Sequence, residues 1–400
     1  MTDLDRCLSA IEPQAVVDLV AELVRIPSIN WGPAGEQGGG TFEQEIGVFV
    51  AEYFGRAGLE PQVQPVADHR ANVVARLPGA GPRVLWLDAH MDTVPVEGME
   101  GDPFSGEVRD GRLYGRGSCD TKATLGAMMY AVGLLARQGA TPPASVVLTA
   151  TVDEEARCGG ILRLKESGLT ADGAVVGEPT ELNLVAATKG AARWQVRTRG
   201  VGVHTCHPEK GHNAVYDMAR VITALEDRLI PSLQRKSHPL VGSPRLTVSL
   251  IRGGQRCNIV PDECVVDLDR RVLPGETPEE VIGGVGEFLQ ELSAEIPGLQ
   301  VEMLPPYTFV PGTEATPDDE VYQALHGAIA GALGSCQVVG VPYTTHCSII
   351  EQMGIPSVTF GPGSIEQAHT INEWVATEQI VRAAETLVRL CLTFGATALS

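Results

Sequence analysis

The chain is poor in what membranes and nucleic acids select for. No apolar run reaches the eighteen residues of a membrane span, so the sequence offers no transmembrane candidate. Basic residues are scarce: 30 Lys and Arg face 50 Asp and Glu, a formal net charge of −20 at pH 7. Phosphate backbones and anionic bilayer surfaces are bound through clustered Lys and Arg, so neither is an expected partner. There is no Cys-x-x-Cys pair among the nine scattered cysteines, an odd number that suits free thiols better than a disulfide framework or a zinc knot. The opening MTDLDRCLSAIEPQ lacks a basic segment followed by an apolar core, so no signal peptide is read and a cytoplasmic location is expected.

What is present is an ordinary globular composition, 44% apolar and 20% charged. At 400 residues the chain exceeds the usual single core, so two domains are expected. Apolar residues at helical spacing predict helices over Pro13–Ile26, Phe42–Ala57 and Lys122–Gln138, the last closed by Gly139, Pro142 and Pro143. Between the first two, Asn30–Gly40 reads as a glycine-rich loop without the lysine or setting of a phosphate cradle. Gly101–Gly117, rich in Gly, Asp and Pro, reads as a long loop. Short apolar runs predict strands at Gln62–Leu77, Arg83–Asp88, Ser145–Val152 and Ala174–Gly177.

After Lys189-Gly190 the pattern changes. Alternating strands over Arg193–Arg199, Arg245–Arg252 and Cys264–Val272 are interleaved with helices over Asn213–Leu229 and Pro278–Leu292. A helix at Asp319–Gly331 and a strand at Ser357–Phe360 then resume the first pattern. The expected fold is therefore α/β: a mixed-sheet domain with helices on both faces, from residues 1–187 and 306–400. An α+β module of an antiparallel sheet and two helices, residues 188–305, interrupts it.

The first-pattern strands end in chemistry. Val84–Leu87 runs into His90 and Asp92, where an imidazole is either a metal ligand or a satisfied core histidine, and a carboxylate two residues on can fix its tautomer. Later ends carry Glu154-Glu155 and Glu178, with Asp120 at a helix start and His369 after the last strand. Two histidines with several carboxylates make a mixed N/O set for one metal or two sharing a carboxylate. Of adjacent acids such as Glu154 and Glu155, one can bind metal and the other stay free as a base.

The stretches DAHMDTVP, GRGSCDTKA, TVDEEARCGG, VVGEPTEL, GVGVHTCHPEKGHNA, NIVPDECVVDLDRRVLPGE and FGPGSIEQAHTINEW, in that order, cover most of the chain. Together they resemble the dinuclear zinc amidohydrolases that include acetylornithine deacetylase, succinyl-diaminopimelate desuccinylase, aminoacylase and related carboxypeptidases. GEPTEL and GPGSIEQAH resemble the acetylornithine deacetylases most.

The resemblance implies His90 and Glu178 on one divalent cation, Glu155 and His369 on a second, and Asp120 bridging them, with a cis bond after Asp120. Zinc is the expected metal, with cobalt and manganese as fitting substitutes. Asp92 is implied as the support of His90, and Glu154 as the base that takes a proton from the attacking water. The module becomes a lid and homodimerisation domain. From it, the resemblance implies, His204 would stabilise an oxyanion in the partner's site, Arg271 would grip a substrate carboxylate and Asn258 would lie near the substrate. His207, His212 and Arg270 read as surface or ion-pairing residues.

One departure is His346, where the family has an acid near the substrate; a basic ornithine side chain would have used that acid. The expected activity is hydrolysis of a small N-acyl amino acid. A metallo-dipeptidase or aminopeptidase of the same architecture, acting on dipeptides, and a non-catalytic metal-binding relative are the competing readings.

Overall fold

The structure, a computed structural model, describes residues 2–31 and 43–396. Most of the expected glycine-rich loop, 32–40, and Phe42, the expected start of the second helix, lie outside the described residues. The chain divides into two compact units. The first holds Met1–Ala186, Ala315–Val339 and Thr345–Ser400, and the second holds Ala187–Glu314 with Gly340–Thr344.

In chain order the first unit opens with a short helix at Asp3–Ser9, followed by α1 (Pro13–Arg25), α2 (Gln44–Arg56), β1 (Gln62–Ala67), β2 (Arg70–Leu77) and β3 (Val84–His90). It continues with α3 (Lys122–Arg137), β4 (Ser145–Thr151), α4 (Gly159–Glu166), β5 (Gly173–Gly177) and β6 (Leu184–Thr188). The second unit carries β7 (Gly190–Arg199), α5 (Ala214–Ala224), β8 (Arg245–Gly253) and β9 (Glu263–Val272), then α6 (Pro278–Glu295), β10 (Gln300–Met303) and β11 (Thr308–Val310). The chain returns to the first unit with α7 (Glu320–Leu333), β12 (Ser357–Phe360) and α8 (Thr377–Thr393).

The first unit's sheet runs β1-β2-β4-β3-β5-β12-β6 and is mixed. Its middle is parallel: β3 pairs with β4 and β5, and β5 with β12. Strands covered on both faces read as continuous apolar runs, which is why Leu85, Trp86 and Leu87 are all buried. Side chains alternate across the sheet. Trp86, Val147, Ala174 and Val176 pack with Ile161 and Leu164 of α4. The central helix α3 packs against β3 and β4 and against α1 and α8. A Cβ at Gly126 of α3 would lie 2.6 Å from a Val20 methyl, so only glycine allows that approach to α1. Three parallel strands, β3, β4 and β5, thus end at one sheet edge, where open α/β sheets hold their ligands.

The expected long loop over Gly101–Gly117 is partly wrong. It contains a hairpin, Glu107–Arg109 paired with Arg112–Tyr114, to which Trp374–Ala376 adds a third strand. The turn is Asp110-Gly111, both with positive φ (52° and 73°), the dipeptide a two-residue hairpin favours.

The second unit is an antiparallel sheet ordered β8-β9-β7-β10, with β11 also on β7. It runs past residue 305 because Thr308–Val310 pairs with Arg193–Ala191. Helices α5 and α6 bury Met218, Val221, Val285 and Leu289 with Trp194, Val196, Val266 and Leu268 of the sheet. Thr277 and Glu280 form a reciprocal capping box at the start of α6, satisfying amides that the first turn leaves open.

Candidate metal centre

The parallel register sets His90 opposite Thr151, so the turn after β4 brings Glu154 and Glu155 beside the end of β3. Glu178 follows β5 by one residue. Two triads of ligand atoms result: His90, Asp120 and Glu178, and Asp120, Glu155 and His369. Asp120 belongs to both. His90 Nε2 lies 3.1 Å from Asp120 Oδ1, and His369 Nε2 lies 3.3 Å from Asp120 Oδ2 and 3.1 Å from Glu155 Oε1. All five residues whose sequence pattern suggested ligands are brought together. Three are buried, the Glu155 side chain is 9% exposed, and the His369 side chain remains half exposed.

Asp120 is held by a residue the sequence reading missed. Glu373, fully buried at the side chain, accepts from the amides of Gly117 (3.0 Å), Cys119 (2.9 Å) and Asp120 (3.0 Å) and from Arg116 Nη1 (2.7 Å). Its partners in the 115–120 loop are some 250 positions away, so no local pattern points to it. The Asp120–Thr121 bond is cis. Lys122, buried at the start of α3, donates from Nζ to the Ile26 carbonyl at 2.7 Å, and burial pushes its amine down to about 7.

Asp92 turns out to serve the acid pair more directly than it serves His90. The nearest partner of His90 Nδ1 is the Asp92 backbone carbonyl, at 2.9 Å, with the carboxylate at 3.5 Å. The carboxylate instead accepts from the amides of Glu154 (3.1 Å) and Glu155 (2.9 Å) and from Asn30 Nδ2 (2.8 Å). Asn30 also donates to Asp153, which pairs with Arg70, so a buried polar network backs the turn. Asn30, Arg70 and Asp153 carried no signal in the sequence reading.

The donor set fits a cation. His90 Nδ1 faces a carbonyl oxygen, so it carries the proton and Nε2 presents a lone pair. That lone pair faces a carboxylate oxygen, two acceptors in contact unless positive charge lies between them. Burial, with Asp120 beside it, holds Glu178 well above the ordinary carboxylate range. Burial also pushes Glu154 up to about 7, against the pull of His90 and His346. Asp120 is the exception: burial opposes its ionisation, but without an ion, protons on the His369 and His90 rings would hold it below the usual range, supplying the positive charge that a cation otherwise brings. Glu154 sits beside the triads, with its ligand atom within 4.8 Å of those of His90 and Glu155, yet belongs to neither shared-Asp120 set.

The remaining expected residues fall in two places. His346 is in the first unit, 2% exposed, with Nδ1 2.7 Å from Asp88 Oδ2. His204 and Asn258 are in the second, exposed and on adjoining segments: His204 bridges to Ile259, and the amide of Thr205 donates to the Asn258 carbonyl at 3.1 Å. Arg271 lies on β9, with Nε 3.0 Å from Asp269. Its neighbour Arg270 is buried and pairs with Glu276 at 3.0 Å, while His212 pairs with Asp217 at 2.5 Å. Among the described residues, no helix is long and apolar enough to cross a membrane.

Residues 86–393 match the family model described as peptidase family M20/M25/M40. An acetylornithine deacetylase of Myxococcus xanthus is 33% identical over 314 residues, 78% of this chain and 80% of that protein. Among solved structures, an M20 family metallo-carboxypeptidase from Sulfolobus solfataricus superposes with a TM-score of 0.77 at 18% identity, covering 96% of this chain and 99% of that one. A dinuclear metal binding peptidase of the M20 family from Bacillus subtilis gives a TM-score of 0.70 at 15% identity, covering 95% and 97%. A shared-carboxylate cluster at the ends of parallel strands, in a chain matched over three quarters of its length, has one reading: the chain belongs to peptidase family M20/M25/M40 and is a metal-dependent amidohydrolase.

Proposed function

We propose that the protein hydrolyses the amide bond of a small N-acyl amino acid, with N-acetylornithine the first substrate to try, using two zinc ions. The observation that carries the two-ion reading is Asp120, whose two carboxylate oxygens face His90 on one side and His369 on the other. His90 and Glu178 would hold one ion, Glu155 and His369 the other, and Asp120 both. When bound, the ions supply positive charge that polarises the amide carbonyl and lets a water ionise near neutral pH.

Glu154 is the proton carrier. It lies beside the cluster without belonging to either Asp120 triad, and its carboxyl is pushed up to about 7, near the working pH of a general base. It takes the water proton as the oxygen bonds to the carbonyl carbon, then gives that proton to the departing nitrogen as the C–N bond breaks. Asp92 holds the Glu154 and Glu155 amides and so sets where the base points. His204 donates to the developing oxyanion, Arg271 pairs with the substrate carboxylate, and Asn258 and His346 line the substrate's surroundings. His204 is exposed on the second unit, as a residue serving the other subunit of a homodimer would be. A cytoplasmic location agrees with the nine free cysteines.

A panel of N-acetyl, N-succinyl and N-formyl amino acids beside dipeptides, with metal counted on the same preparation, tests this. N-acetylornithine among the best substrates, with about two ions per chain, is the expected result. Preference for a free α-amino group, or full turnover with one ion, would overturn the substrate or the two-ion reading respectively. Mixing Glu154→Ala with His204→Ala protein restores part of the activity if the site is shared across a dimer; no rescue after subunit exchange argues for a self-contained chain.

A further inference from the structure

His346 belongs to neither triad that shares Asp120, and its hydrogen bonding is that of a metal ligand. Trp86 Nε1 donates to Thr149 Oγ1 at 2.7 Å, so that hydroxyl donates onward to Asp88 Oδ1 at 2.5 Å. Asp88 Oδ2 accepts from His346 Nδ1 at 2.7 Å. The chain of donors puts the imidazole proton on Nδ1, and a carboxylate holding Nδ1–H is the arrangement that orients histidine for a metal at Nε2. Nε2 is buried and has no nitrogen or oxygen partner; the group it meets is the Cys158 thiol. A buried ring nitrogen with only a thiol beside it is under-satisfied, so such an atom calls for a ligand.

What Nε2 meets is a second kind of donor set. The ligand atoms of Glu154, Cys158 and His346 lie within 4.8 Å of one another, all in the first unit. Cys158 occupies the N-cap position of α4 with a left-handed backbone (φ 55°) and no side-chain capping bond, and its thiol donates to the Glu154 carbonyl at 3.7 Å. One nitrogen, one sulfur and one oxygen suit a borderline ion such as zinc or cobalt, with a fourth place for water. Bond lengths of about 2.0–2.3 Å place tetrahedral ligands roughly 3.3–3.8 Å apart, within reach of small torsional adjustments of Glu154 and Cys158.

We propose that Glu154, Cys158 and His346 form a further divalent-cation site, beside the centre described above, and that filling it inhibits the enzyme by withdrawing Glu154 from proton transfer. Binding replaces the thiol proton with the metal ion and releases that proton to solvent; no oxidation state changes. The inhibitory consequence rests on Glu154 being the base, whereas the site itself does not.

The test uses the metal-loaded enzyme freed of loosely held ions, titrated with cobalt and separately with zinc. The expected result is one further cobalt per chain, with a thiolate-to-cobalt charge-transfer band in the near ultraviolet, both lost in Cys158→Ser. Excess zinc then inhibits hydrolysis of N-acetylornithine, and Cys158→Ser needs at least about tenfold more zinc for the same inhibition, as loss of one ligand implies, with turnover at low metal unchanged. No band in the unaltered chain, or an equal band in Cys158→Ser, overturns the site. A Cys158-dependent band without inhibition keeps the site and overturns Glu154 as base. A Cys158-dependent band in a protein inert toward N-acetylornithine supports the site and overturns that substrate.

Discussion

On the second unit's sheet Arg193 reaches Asp269 at 2.8 Å and Arg197 reaches Glu302 at 2.5 Å, with the arginine side chains 44% and 24% exposed. In the first unit Asp92 and Glu178 after strand ends and Asp120 before α3 are buried, beside His90, which is 2% exposed. The two settings use the same residue types to different ends. Exposed pairs exchange hydration for a partner at little net gain, so sheet charges of this kind chiefly decorate a solvated face. Buried carboxylates of like charge oppose folding unless something compensates them, so a cluster that persists there is a site. The comparison predicts steep losses from single changes at the strand ends and shallow ones on the sheet.

The steepest is Glu154→Ala, which should lower kcat about 10²–10⁴-fold, the range for a lost general base, with metal content unchanged. Near-normal turnover on every substrate would remove Glu154 from the mechanism. Next is Glu373→Ala, which strands a buried guanidinium and three loop amides. Removing one partner of such a buried pair costs about 3–5 kcal/mol, readable as a lowered urea midpoint at unchanged slope. A loss below about 1 kcal/mol would mean that the 115–120 loop is held by something else. Asp92→Asn is smaller: it keeps the volume but swaps an acceptor for a donor facing the Glu154 and Glu155 amides. Metal affinity should fall about 10–100-fold, measured by competition with a chelator.

The contrast between the units also governs what could be read in advance. Strand-end acids after apolar runs were legible because the burial is local: Val84–Leu87 announces a strand, and His90 follows it at once. Ser357–Phe360 appeared in full for the same reason. Glu373 and Asn30 were not legible, because their partners are set by tertiary folding; Asn30 meets Asp92 across 62 positions. The hairpin after Gly106 was legible in principle, since Asp110-Gly111 is a strong turn signal, but the surrounding Gly and Pro masked three-residue strands. His346 could be seen as a departure from the family pattern, but not as the partner of Asp88, an aspartate on β3 that the reading treated only as the end of a strand.

The shallowest expected effect is on the sheet face. A double-mutant cycle on Arg193 and Asp269, each changed to Ala singly and together, should give a coupling energy no larger than about 1 kcal/mol, as exposed pairs do. Asp269 complicates the single variant, since Arg271 Nε also lies 3.0 Å from it. Asp269→Ala should therefore alter Arg271's freedom as well, and the cycle isolates the Arg193 term from that. The coupling should shrink further in 1 M salt, where screening acts over about 3 Å. A coupling of about 3 kcal/mol or more that persists in high salt would mean the pair is shielded from water in the working protein. That would move the second unit's sheet out of the solvated class and toward a covered surface, the one outcome that erases the difference between the two units.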